Sequence, residues 1–148
     1  MKSLEPERME KLVSSMRVAL GLLDELRELP CAEFMADPHK QSSAKYNFTA
    51  AIEAAIDIAS HIISRRALRA PEDYADTFQV LSDAGILPSD FTAELKKMAR
   101  FRNRLVHLYW EVDTAELRRI LETRLGDFTR YLSDIGAYLS QQERGRVG

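Results

Sequence analysis

Two residues in this sequence, Arg102 and His107, are of types and at a spacing that suit cleavage of a phosphodiester. Histidine takes up and releases protons near neutral pH. The arginine guanidinium is a planar fork of donors that grips phosphate through two bonds, and it can hold a five-coordinate phosphorus the same way. RNA supplies its own nucleophile in the 2′-hydroxyl, so such a pair can break the strand without a metal ion. Asn103 and Arg104 stand between them as supporting polar and cationic groups, and Tyr109 follows two residues after the histidine. A lone helical histidine is more often structural, and a basic run is more often a solvated face. It is the pairing of Arg102 with His107 that points to chemistry.

The distribution of charge marks the same stretch. No acidic residue occurs between Leu95 and Trp110, whereas Lys96, Lys97, Arg100, Arg102 and Arg104 all fall there. The chain as a whole carries a formal charge of -2, so attraction to a polyanion must come from local clustering. On a helix of 100° per residue, Leu95, Met98, Phe101, Leu105 and Leu108 gather into one core-facing stripe. His107 then points away from that stripe, near Asn103. Val106 and Trp110 form a second apolar strip flanking Arg102, and Tyr109 returns to the side of Arg102. Such a helix is expected to pack against two surfaces, the second being another copy of the chain.

The elements that must carry this helix can be read from punctuation and periodicity. A first helix starts near Pro6, shows apolar residues at helical spacing from Met9 to Leu26, and ends before Pro30. A helical turn is expected around Cys31 to Met35. A second long helix spans about Lys40 to Arg66, rich in small alanines that permit close approach. A third runs from about Asp73 to Ala84, where Gly85 can take the left-handed capping conformation. Ser89 or Asp90 N-caps the fourth, from Phe91 to about Tyr109. Asp113 and Glu116 read as a capping pair opening one last helix that reaches about Gln141. Nothing alternates with a period of two. The expected fold is all-α, an antiparallel bundle of four to five helices forming a single domain over residues 1–143, with a loose tail at 144–148.

Other candidates are weaker. Asp57 and His61 are one turn apart on the second helix, with Glu53 nearby, but no third ligand for a metal is evident. A polar stripe, solvated or satisfied across a subunit interface, is the preferred account of them. His39 is expected in a surface loop, and Tyr46, Tyr74, Tyr131 and Tyr138 at packing positions. Cys31 is the only cysteine, which excludes an internal disulfide and a thiolate cluster. There is no glycine-rich phosphate loop. The lack of an apolar run of roughly 20 residues argues against a membrane span, and the lack of a signal-like start makes cytoplasm the expected location.

Arg102, four intervening residues, then His107-Leu108-Tyr109 matches the RX4-6HXY motif of HEPN-domain ribonucleases. The longer run Phe101 to Tyr109, the Ala50–Ile63 helix, Ala84-Gly85-Ile86-Leu87-Pro88 and Tyr109-Trp110-Glu111-Val112-Asp113 resemble the HepT toxins of nucleotidyltransferase/HEPN toxin–antitoxin modules. The likeness extends over about residues 10–140. It implies a metal-independent endoribonuclease with Arg102 and His107 as the catalytic pair, acting on a tRNA or an mRNA. It implies a homodimer whose motif helices meet at the two-fold axis in a composite cleft. It also implies a partner, a minimal nucleotidyltransferase antitoxin using ATP and magnesium, that transfers AMP to Tyr109; the chain itself would need no cofactor. The alternatives from other classes are a non-catalytic HEPN scaffold subunit of a nucleotidyltransferase complex and a substrate-binding companion of an antibiotic-modifying nucleotidyltransferase.

Overall fold

The computed structural model describes residues 5–147. Seven α-helices and one short 3-10 helix follow one another, and no strand occurs among the described residues. Helix α1 (Pro6–Arg27) buries Met9, Leu12, Met16, Ala19 and Leu23, a three-and-four spacing that makes one stripe. Helix α2 (Cys31–Ala36) anchors itself through the fully buried Phe34. Helix α3 (Pro38–Arg65) starts at Asp37, whose carboxylate accepts from the backbone N–H groups of His39 and Lys40 at 3.0 and 3.4 Å. His39 is therefore in the first turn of a helix, not in a loop; it is exposed as expected.

Helix α3 is the axis of the molecule and touches all six other α-helices. That explains its unusual composition, because a helix packed on all sides needs small or apolar residues around most of its circumference. Ala44, Ala51, Ala54, Ala55 and Ala59 are all buried, and their size lets the neighbouring backbones come close. Helix α1 lies antiparallel along α3: the backbone N–H of Glu5 donates to His61 Nε2 at 3.2 Å, and the Glu5 carboxylate pairs with Arg65.

Helix α4 (Tyr74–Asp83) is capped by Asp73, whose side chain accepts from the N–H of Asp76 at 2.7 Å. It ends as the sequence foretells. Gly85 takes φ +78°, and the N–H of Ile86 donates back to the carbonyl of Leu81 at 2.9 Å, closing a Schellman-type cap.

Three boundaries differ from expectation. Helix α5 runs from Ser89 to His107, with Pro88 at the cap position and no side-chain cap bond, so neither Ser89 nor Asp90 caps it. It also stops short of Tyr109. Leu108 leaves the helix at φ -130°, ψ 43°, and Tyr109–Glu111 form the separate 3-10 helix. Leu95, Met98, Phe101 and Leu105 are buried as expected, but Leu108 is 37% exposed because the helix has ended before it. The last helix is likewise divided, into α6 (Thr114–Thr123) and α7 (Leu125–Val147), with Arg124 between them. The turn lets α6 pack on α2 and α1 while α7 turns back to lie beside α1 and α3. Arg118, nearly buried, secures that crossing: its guanidinium donates to the carbonyls of Arg27 and Leu29 at the end of α1. Helix α7 continues through most of the expected tail, as far as Val147; Gly148 lies outside the described residues.

The start of α6 also sharpens the capping pair. Asp113 accepts from the N–H of Glu116 at 2.7 Å, but the Glu116 carboxylate does not close the box. It reaches across to α5 instead.

Candidate active site

Helix α5 lies between α3 and α4 on one side and α6 on the other, so each of its polar residues is presented to a different neighbour. Arg102 faces α3 and α4. Its Nε and Nη2 donate to Glu53 Oε1 at 3.1 and 2.9 Å, and its Nη1 donates to Asn103 Oδ1 at 3.2 Å. The guanidinium also stacks over the ring of Tyr74, 4.8 Å from the centroid. Only 12% of the side chain is exposed, so the cation is fixed in direction while part of its fork stays open to solvent.

His107 is exposed, on the last turn of α5. With Asn103 it borders an open depression of about 540 Å³ whose far side is formed by Ser60, Asp73 and Tyr74. A second depression of about 180 Å³ is bordered by Arg102, Glu53, Asp57 and again Tyr74. Tyr74 is thus the shared wall. Arg102 and the Asn103–His107 pair therefore border neighbouring depressions that share one aromatic residue.

Arg104 does not join them. It forms a bidentate pair with Glu116 of α6, Nη1 to Oε1 at 2.5 Å and Nη2 to Oε2 at 2.9 Å. This pairing raises the arginine pKa and lowers that of the carboxylate. Tyr109 is set apart as well. It is 48% exposed on the 3-10 helix, and the ammonium of Lys45 lies 3.9 Å above its ring centroid. Val106 and Trp110 beside it are exposed, Trp110 by 77%.

Asp57 and His61 form a polar edge of α3 near Arg8 of α1. Burial pushes the Asp57 carboxyl up, opposed by Arg8 and reinforced by Glu53. Burial, then the charge of Arg8, holds the His61 imidazole below its ordinary value. His61 is occupied as an acceptor for the backbone of Glu5. Among the described residues, no three His, Cys, Asp or Glu side chains converge closely enough to hold a metal ion.

Two residues of the site do not stand out in the sequence. Glu53 is notable there only as a neighbour of Asp57, and Tyr74 only as a packing residue. Tyr131 is fully buried as expected, but Tyr74 and Tyr46 are 47% and 73% exposed. No local pattern connects Glu53 with Arg102, 49 positions apart.

Known proteins resemble this chain in sequence and in fold. Residues 16–135 match the family described as Ribonuclease HepT-like. The mRNA nuclease HepT of Shewanella oneidensis is 31% identical over 106 residues, which cover 72% of this chain and 80% of that protein. The tRNA nuclease HepT of Aphanizomenon flos-aquae is 24% identical over 141 residues, 94% of this chain and 95% of that one. Among solved structures, the tri-AMPylated HEPN toxin of Shewanella oneidensis, in complex with its MNT antitoxin, superposes with a TM-score of 0.81 at 26% identity. That match covers 87% of this chain and 96% of the other.

Proposed function

This chain belongs to the HepT-like ribonuclease family, and on that premise we propose that it is the toxin of a toxin–antitoxin module, cutting RNA without a metal ion through Arg102 and His107. The observation that carries the proposal is that Arg102 and His107 border neighbouring open depressions that share Tyr74. In the reaction the 2′-oxygen attacks the adjacent phosphorus, the bond to the 5′-oxygen breaks, and the products are a 2′,3′-cyclic phosphate and a 5′-hydroxyl. His107 handles a proton of this exchange. Arg102 stabilises the charge building on the phosphoryl oxygens, and Glu53 and Tyr74 aim it. Asn103 holds the arginine from the third side. Arg104, turned to Glu116, acts only through its charge.

The exposed Val106, Leu108, Tyr109 and Trp110 suit contact with a second copy, which would bring two Arg102/His107 pairs into one cleft. Tyr109 is the site at which an antitoxin nucleotidyltransferase, using ATP and magnesium, would attach AMP. The residue is about half exposed, and Lys45 beside the ring offers a cation for the incoming phosphate. The added bulk and negative charge would block the cleft and repel RNA. Both an mRNA and a tRNA are in scope, since the relatives named above differ in that respect.

Induced expression of the chain alone tests this. The parent should arrest growth with cleaved RNA, and His107→Ala and Arg102→Ala should do neither; undiminished toxicity of the His107 variant would sink the catalytic assignment. After co-expression with the nucleotidyltransferase, intact mass should rise by AMP increments, and Tyr109→Phe should abolish them.

A further inference from the structure

The basic residues of α5 are not one strip in the folded protein. Lys96 contributes to the field at Asp76 of α4, and Arg102 pairs with Glu53 of α3. Lys97, Arg100 and Arg104 face the opposite way, onto a groove of about 260 Å³ between α5, α6 and the start of α7. These three stand at positions i, i+3 and i+7, and His107 follows three residues later. Together they make a row along the helix about 15 Å long, from the helical rise of 1.5 Å per residue. By helical position the row runs on to His107, whose own depression, shared with Asn103 and Tyr74, begins where the groove ends at the last turn of α5.

The other wall of the groove carries Arg119 and Arg124. Its floor is aromatic: Phe48 packs against Phe101 and Phe128 with ring centroids 5.7 and 6.5 Å away. Five cations face three carboxylates, Glu94, Glu116 and Asp127, which leaves two positive charges in excess on a chain whose net charge is -2. Lys97, Arg104 and Arg124 are each paired with carboxylates of the groove. Arg100 and Arg119 are different. Both are exposed, one on each wall, and neither forms an ion pair among the described residues.

We propose that this groove holds the RNA strand as it leads to His107, with its phosphodiester backbone bound between Arg100 and Arg119. The inference rests on the ribonuclease reading and extends it, because it names residues that bind substrate away from the reacting phosphate. Contacts of this kind track charge and carry no base information, so binding here is indifferent to sequence. An acidic segment of a protein partner would meet the same cations. The continuity of the row with His107 favours the strand.

The experiment uses the full chain with His107→Ala, which keeps the RNA intact, and follows the fluorescence anisotropy of a short labelled single-stranded RNA across a salt series. Adding Arg100→Ala and Arg119→Ala should weaken binding about tenfold. It should also lower the slope of log affinity against log salt by about 1.4, roughly 0.7 for each of two phosphates left without a cation. Circular dichroism verifies that this double variant is folded. Lys11→Ala with Arg17→Ala, two exposed cations of α1 that do not line the groove, should leave affinity and slope as they were. Unchanged RNA binding by the Arg100/Arg119 variant overturns the proposal, and so does an equal loss from the α1 pair. Retained RNA binding with lost binding to the purified nucleotidyltransferase also overturns it and assigns the groove to the protein partner. If the folded parent binds no RNA and cuts none, the ribonuclease reading itself fails, a result distinct from failure of the groove alone.

Discussion

At the scale of single residues, the site depends on how Arg102 is held. Both of its bonds to α3 converge on one oxygen, Oε1 of Glu53. A carboxamide at position 53 still offers one such oxygen, whereas alanine offers none. We therefore expect Glu53→Gln to keep most of the cleavage rate and Glu53→Ala to lose about tenfold, on the order of 1.4 kcal/mol of transition-state stabilisation. Single-turnover kinetics at saturating RNA reads the difference. A merely structural role would lower the melting temperature in both variants while leaving the rate per folded molecule alone. Arg102, His107 and Tyr109 are legible as candidates because they lie close together on one helix or just beyond it. Glu53 and Tyr74 are not, since each reaches Arg102 only through the packing of α3 and α4 against α5.

At the scale of elements, the sequence locates the helical segments but reads α6 and α7 as one and misplaces the end of α5 near the site. Apolar periodicity runs through Leu108 and hides the point where α5 unwinds; likewise the run from Asp113 onward hides the turn at Arg124, which serves tertiary packing rather than local propensity. Caps are mixed: Asp37, Asp73, Asp113 and Gly85 do what their types suggest, whereas neither Ser89 nor Asp90 caps α5 and Glu116 turns to Arg104 instead of closing a box. The join of α1 to α3 is pH-sensitive. The His61 Nε2 accepts from the Glu5 backbone only while the imidazole is neutral, and burial with the Arg8 charge depresses its pKa below 6.5. A depressed folded value means this stabilisation is present above about 6.5 and is lost as pH falls through the folded value. The protection of the Glu5 and first-turn amides of α1, measured against their intrinsic exchange rates, should fall as pH drops from about 7.5 to 5, and that fall should vanish in His61→Ala. Deeper in the bundle, the Tyr131 hydroxyl donates to the Ala55 carbonyl at 2.8 Å, and both groups are buried. Tyr131→Phe should cost about 1 kcal/mol in a urea melt.

For the whole molecule, the question is what covers the exposed apolar end of α5. Trp110, 77% exposed beside Val106, Leu108 and Tyr109, is more apolar surface than one helix end ordinarily leaves to water. Trp110→Glu is expected to turn a dimer into a monomer by light scattering and to abolish RNA cleavage, with the helical circular dichroism retained. A parent that is already monomeric at the concentrations of the cleavage assay would count against a composite cleft. The bundle itself is legible as a single all-α fold because α3 announces its central position in its alanines.

The end of α5 at His107 has one more consequence. Residues 108–111 are exposed between the buried Leu105 and Val112, and are tied back by short turn bonds, Leu108 N–H to Arg104 O at 2.9 Å and Glu111 N–H to Leu108 O at 2.8 Å. A segment so lightly fastened opens at little cost, without unwinding the helix before it. An enzyme that acts on Tyr109 would draw out a handle and leave the machine assembled. A silenced molecule would then be a stored one, restored by cutting a single phosphate ester and not by synthesis of a new chain.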